Sequence, residues 1–174
     1  MGLRLFIRNE LKTSLYLAKM GSYKGIKLDF KNNTIESTND LILLRINLDF
    51  DRLFLGRSEH YESFKNKGSF IIKAEVVDIL LHHCDIGGDI FKAISNDLDF
   101  YEYQNRFPDT DRIRVTNTKA VERITYDVKK VILPAITVCS KLGMAYSSFY
   151  FNGSDNPTEI RGETASIILA PYIK

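Results

Sequence analysis

The sequence predicts an α+β fold: a single antiparallel or mixed sheet with one long, Pro-kinked helix packed on its apolar face. Three observations lead there. Thr118–Leu142 places Val121, Ile124, Val128, Val131, Ala135, Val138 and Leu142 at steps of three and four, which is one stripe of an α-helix. Leu44, Ile46, Leu48 and Phe50 alternate with Arg45, Asn47, Asp49 and Asp51, the period-two pattern of a half-buried strand. One wet face and one dry face imply antiparallel pairing, and a helix stripe and a sheet face both leave water when they pack together.

The N-terminal residues 2–20 fit two descriptions. Leu3, Leu5 and Ile7 alternate with Arg4 and Phe6 as a short strand would, and Leu11–Met20 continues as strand or helix. Gly21 to Gly25 is a break. Gly25–Lys31 then alternates apolar and charged residues, and Asn32-Asn33 tolerates the positive φ of a hairpin that returns through Ile35. Leu41–Leu55 is the strongest strand signal, with Arg52–Leu55 extending it or turning off it. Residues 56–68 are polar, bounded by glycines, and read as a surface loop with room for one helical turn. Phe70–Leu81 satisfies both periods. Phe70, Ile72, Ala74 and Val76 alternate, whereas Phe70, Ala74, Val77 and Leu81 make a helical stripe.

Asp89–Leu98 reads as a helix capped by Asp89, Phe107–Asp111 as a turn, and Arg112–Thr116 as a short strand. In the long helix, Asn117 or Thr118 supplies the cap and Gly143 the stop. Pro134 lacks the N–H that would bond four residues back, so a kink is expected near Lys130–Pro134, unless the helix ends at Lys130 and Ile132–Cys139 forms a buried strand. Tyr146–Phe151 is a strand, Asn152–Gly162 a turn-rich loop, and Ala165–Leu169 a last strand.

At 174 residues the chain is expected to form one globular domain, residues 1–174, large enough for a core without disulfide or metal. The net charge of +2 is too small to indicate nucleic acid by itself. Cys84 and Cys139 are too few for a disulfide framework and suit a cytoplasmic protein. No run reaches the roughly 18 apolar residues of a membrane span, and the first residues lack a secretory signal.

Signatures of chemistry are weak throughout. His82-His83-Cys84-Asp85, with His60 arriving from the preceding loop, is the one cluster of metal-type ligands, but consecutive residues point apart and at most two serve one ion. Asp49 and Asp51 share a strand face, as Mg²⁺-holding carboxylates do, and as any solvated face does. Asp97 and Asp99 carry the same ambiguity, and Pro108-Asp109 lacks the residues that would complete a nuclease motif. Cys139 lies among apolar neighbours, where a thiol behaves as a small hydrophobe. Gly87-Gly88 suits a turn better than an anion site, and neither a phosphate loop nor a Gly-x-Ser-x-Gly elbow occurs. Arg106, Arg112, Arg114, Lys119 and Arg123, with Tyr101 and Tyr103, form a basic stretch that Asp109, Asp111 and Glu122 dilute. No catalytic residue, cofactor or metal is expected. With 11 Phe and 9 Tyr, the chain reads as a non-catalytic structural or assembly subunit that contacts protein partners or copies of itself, such as a virus or bacteriophage particle component. The alternatives are a metal-dependent phosphoryl-transfer enzyme on Asp49 and Asp51, and a nucleic-acid-binding module on residues 106–123.

Overall fold

The computed structural model describes residues 2–56, 58–85, 90–92, 107–108 and 124–171, with the side chains of 2–7 and 83–85 left out. Along the chain it forms α1 (Gly2–Met20), β1 (Gly25–Asp29), β2 (Thr34–Thr38), β3 (Ile42–Asn47), α2 (Phe50–Phe54), α3 (Tyr61–Asn66), β4 (Ser69–Lys73) and α4 (Ala74–Asp85). A π-helical turn (Val128–Ile132) then leads into α5 (Leu133–Lys141), followed by β5 (Ser148–Tyr150), β6 (Thr158–Arg161) and β7 (Ala165–Leu169). The seven strands make one sheet in the order β4-β1-β2-β3-β7-β6-β5, and every pairing is antiparallel. The fold is α+β, as the strand pattern of Leu41–Leu55 and the turn residues Asn32-Asn33 predict. Asn33 takes the expected positive φ, 54°.

The register puts Leu28, Ile35, Ile46 and Ala165 in one row across the sheet, and Leu44, Ile167 and Ile160 in the next. These residues join Leu11, Leu15, Leu17 and Ala18 of α1, Val77 and Leu80 of α4, and Val131, Ala135 and Val138 in one buried cluster. The helix at the centre is α1, which lies over β1, β2 and β3 and touches both α4 and α5. The expected strand at Leu3–Ile7 is therefore overturned. Leu11, Leu15 and Ala18 repeat at four and three and are buried with Ser14 and Leu17, while Lys12 and Lys19 stay exposed. A nineteen-residue helix with one wide buried face outweighs a five-residue alternation. Gly21 follows because the chain then passes the β2–β3 turn, where an added Cβ would lie 2.7 Å from the Asn39 Cα.

The Phe70–Leu81 ambiguity resolves in series: the alternation belongs to β4 and the helical stripe to α4. Beneath this end, Phe30 contacts Phe50, Tyr61, Phe70 and Phe91 at ring-centroid distances of 4.9–6.0 Å.

Three further expectations change. The strand of Leu41–Leu55 stops at Asn47, so Leu48 is only half-buried and Phe50 is buried as the first residue of α2. Arg45, expected in water, is 5% exposed because Glu36 stands opposite it on β2 and binds it at 2.7 Å. Of the 118–142 helix, Ile124–Asp127 is not helical and Asp127 is the cap, its side chain accepting from the Lys130 N–H; residues 118–123 lie outside the described residues. The π turn directly precedes Pro134. The Lys130 carbonyl that Pro134 cannot reach accepts instead from Asn39 Nδ2 at 3.4 Å. Gly143, at φ 65°, ends α5 as expected. Val131, Ala135 and Val138 face inward, but Val128 is 60% exposed. The loop Asn152–Gly162 is shorter than expected, since Thr158–Arg161 is the strand β6. The expected Asp89–Leu98 helix is described only at residues 90–92, which are helical, and the Phe107–Asp111 turn only at 107–108; the Arg112–Thr116 strand lies outside the described residues.

Candidate functional site

A cleft of about 990 Å³ opens where the end of β3, the segment after α5, and the β6–β7 turn meet. Its walls are Glu10 of α1, Ile46–Leu48, Leu142–Ser148, Tyr150 and Arg161–Thr164. The local backbone builds it. Gly143 in the left-handed conformation swings the chain off α5, and the Met144 N–H returns to the Cys139 carbonyl at 2.9 Å. Met144 then lies on Gly162, where an added Cβ would meet its Cε at 2.5 Å. The β6–β7 turn is closed by the Gly162 N–H to the Ala165 carbonyl and tied to β3 by the Asn47 N–H to the Thr164 carbonyl, both at 2.8 Å.

Beside the cleft, β5 ends the sheet and among the described residues pairs only with β6. Its surroundings are aromatic. Tyr146 is 92% exposed, Phe149 57%, and the Phe149 and Phe151 rings stack at 6.3 Å. The Arg161 guanidinium lies 4.2 Å from the Tyr150 ring centroid and binds the buried Glu159 carboxylate at 2.8 Å. That bond to Glu159 raises the Arg161 pKa further. Burial pushes the Glu10 carboxyl above its usual range, and its Oε2 has no hydrogen-bond partner among the described residues. Among the described residues its polar lining is made of hydroxyls (Tyr146, Ser147, Ser148, Tyr150, Thr164), Asn47, the Glu10 and Glu163 carboxylates and Arg161. What it offers is a row of backbone donors and acceptors on an edge strand, with apolar rings beside them.

The residues singled out from sequence go elsewhere. Asp49 and Asp51 do not share a strand face. Asp49 caps α2 by accepting from the Arg52 N–H at 3.0 Å. Asp51 accepts from the Tyr61 hydroxyl at 2.7 Å and binds the Lys65 ammonium at 2.9 Å, bonds that hold its carboxyl below the usual range. Burial, then Asp51, holds the Tyr61 phenol protonated well beyond its ordinary range. His60 immediately precedes α3, and His82 is exposed on α4; the side chains of His83, Cys84 and Asp85 are outside the described set. No group of three His, Cys, Asp or Glu side chains gathers among the described residues. Cys139 is a half-buried free thiol whose pKa burial raises. Gly87-Gly88, Asp97, Asp99, Asp109 and the basic stretch 106–123 lie outside the described residues, apart from Phe107 and Pro108. A second cavity, about 570 Å³, lies by β4 and carries Lys19, Lys24 and Lys73 with Glu75 and Asp78. There Lys19 pairs with Asp78 at 3.0 Å and Lys73 with Glu75 at 3.8 Å. Among the described residues no helix is long and apolar enough to cross a membrane.

The sequence marks Tyr146–Phe151 only as a strand, not as part of a site, and the part of it that pairs is Ser148–Tyr150. The other walls of the cleft come from positions 10, 46–48 and 161–164, which no local pattern joins.

Neither protein-family models nor curated proteins match this chain. Among solved structures, the chain is similar to the Helicobacter pylori β clamp bound to a DNA ligase peptide, with a TM-score of 0.54 and 9% sequence identity. The likeness covers 97% of this chain and 63% of that one, so the chain spans less than two thirds of the length of the clamp. At that identity the likeness is one of fold.

Proposed function

We propose that this chain is a non-catalytic docking and assembly subunit that holds an extended segment of a partner protein in the cleft beside β5. The observation that carries the reading is the coincidence of the cleft, the edge strand and the exposed rings of Tyr146 and Phe149 in one place. The likeness to a clamp bound to a DNA ligase peptide supports it, because a protein of similar fold takes a peptide. Self-association, a place in a virus or bacteriophage particle, and a cytoplasmic location are finer forms of the same reading. Mass in solution at several concentrations tests the first of them.

The direct test is selection of a displayed random peptide library on the full chain. Enriched peptides should bind with affinities that drop roughly tenfold in Tyr146→Ala or Phe149→Ala, the loss expected when an aromatic anchor is removed. Selection that enriches nothing, or peptides indifferent to both substitutions, would end the reading. The alternative of a phosphoryl-transfer enzyme on Asp49 and Asp51 gains nothing from the geometry, since a helix cap and an ion pair already engage them.

A further inference from the structure

From Val128 to Ser154 the chain contains no Asp or Glu, while it carries Lys129, Lys130 and Lys141. All three lysines are exposed. The same stretch contributes Val128, Leu133, Ile136, Tyr146, Phe149 and Phe151 to the exposed large apolar side chains, and the rest of the described residues contribute only Met20, Leu41, Leu55 and Ile79. Exposed apolar side chains scattered singly need no explanation, but a concentration of them in one acid-free stretch does.

The helical part is exposed on the side that the core does not use. Val131, Ala135 and Val138 point inward, so Val128, Leu133 and Ile136 are left over from the core-facing stripe. A helix needs only one apolar face to hold it in a fold. A second apolar set, flanked by the Lys129 and Lys130 ammonium groups, with the adjacent Asp127 carboxylate engaged by the Lys130 N–H, is complementary to an apolar surface that brings negative charge.

We infer that the occupant of this surface is an acidic, amphipathic segment of a partner protein. Its apolar side chains cover Leu133 and Ile136, and its carboxylates meet Lys129 and Lys130. The inference rests on the docking reading above and names the chemistry of the partner. On the helix face itself the exposed apolar side chains, Val128, Leu133 and Ile136, are aliphatic and give bases no ring to stack on, which favours a protein over single-stranded nucleic acid. The chain of α5 continues into the wall of the cleft through Leu142–Ser148, and the docking reading for that cleft favours a protein over a lipid surface, because only a polypeptide supplies backbone groups spaced to pair with an edge strand.

The test uses the full chain and the peptides selected from the displayed library. Asp and Glu, together with Leu, Ile or Phe, should be enriched in them. Binding should weaken roughly tenfold both in Lys129→Glu/Lys130→Glu and in Leu133→Asp/Ile136→Asp, and in the unaltered chain it should strengthen as salt falls. Lys129 and Lys130 are charged and exposed already, and Leu133 and Ile136 are more than half exposed, so the variants should fold with unchanged circular dichroism. Peptides without acidic enrichment that lose affinity only in Tyr146→Ala would overturn this inference and leave the docking reading standing. Selection that enriches nothing would sink both. Tight binding of phosphatidylserine vesicles or of a single-stranded oligonucleotide, abolished by the same lysine substitutions, would assign the surface to another class of partner.

Discussion

Glu36 lies mid-sheet with its side chain fully buried, and the groups that hold it include Arg45 at 2.7 Å, Lys27 at 3.4 Å and the Thr34 hydroxyl at 3.4 Å. A buried charge of this kind is tolerable only while its partners remain. Arg45→Met should therefore cost about 3–5 kcal/mol in urea unfolding, whereas Glu36→Leu with Arg45→Met should cost far less than the two single changes added together. A single-variant loss below about 1 kcal/mol would mean water reaches the pair, as it does for surface bridges. Asp29 shows the pH side of the same network. Burial alone would raise its pKa, but the Asn32 N–H and the Lys27 ammonium outweigh that and hold it below 3.8. A depressed carboxyl contributes stability above its unfolded value and loses it as pH falls through the folded value. For Lys27 burial acts to lower the pKa, but Asp29 and Glu36 raise it above 10.5, so its contribution is present below that pH and fades as pH rises through the higher value. Asp29→Asn should then flatten the fall in Tm below about pH 4. An acid limb identical to that of the parent protein would show that Asp29 titrates alike folded and unfolded.

At the scale of elements, α5 and the turn before it test which face is core. Val131 is buried and Val128 is exposed, although both lie on one stripe of the sequence. Val131→Ala should cost on the order of 1–3 kcal/mol, the lost transfer free energy plus a cavity. Val128→Ala and Lys129→Ala should each cost under about half a kcal/mol. Equal losses at 128 and 131 would put the cap at Asp127 in the wrong place. The elements that were legible in the sequence are those whose pattern is local and long enough. The β1–β2 hairpin, β3 and β7 each show period two or a short apolar run between turn residues. The failures have physical causes of two kinds. Arg45 looks like a solvent-facing residue until Glu36, nine positions earlier, is placed opposite it. Leu3, Leu5 and Ile7 look like a strand until the deeper stripe of Leu11, Leu15 and Ala18 fixes the helix. The cleft was the least legible feature, because its walls are joined by tertiary contacts and not by spacing.

For the molecule as a whole, the helix that organises the fold is α1 and not the 118–142 region with its clearer pattern. It alone among the described helices lies over β1, β2 and β3 while touching both α4 and α5. Leu11, Leu15, Leu17 and Ala18 all reach the common core, and Leu17 is fully buried. The two ends of the sheet are also joined by the continuous strand ladder from β4 to β5. One is the aromatic packing around Phe30 near β4, the other the cleft around Met144 near β5. A residue that bears on both should destabilise both together. Leu17→Ala is expected to cost about 2–5 kcal/mol, and to shift every probe of unfolding by the same amount. Two local reporters check this: tyrosine near-ultraviolet dichroism, weighted toward packed rings such as Tyr61, and the rate at which the half-buried Cys139 thiol reacts. Coincident shifts would show one cooperative unit spanning residues 2–171. A shift in the Cys139 reporter alone would show that α1 stabilises only the cleft end, and that the chain folds as two units joined through the sheet.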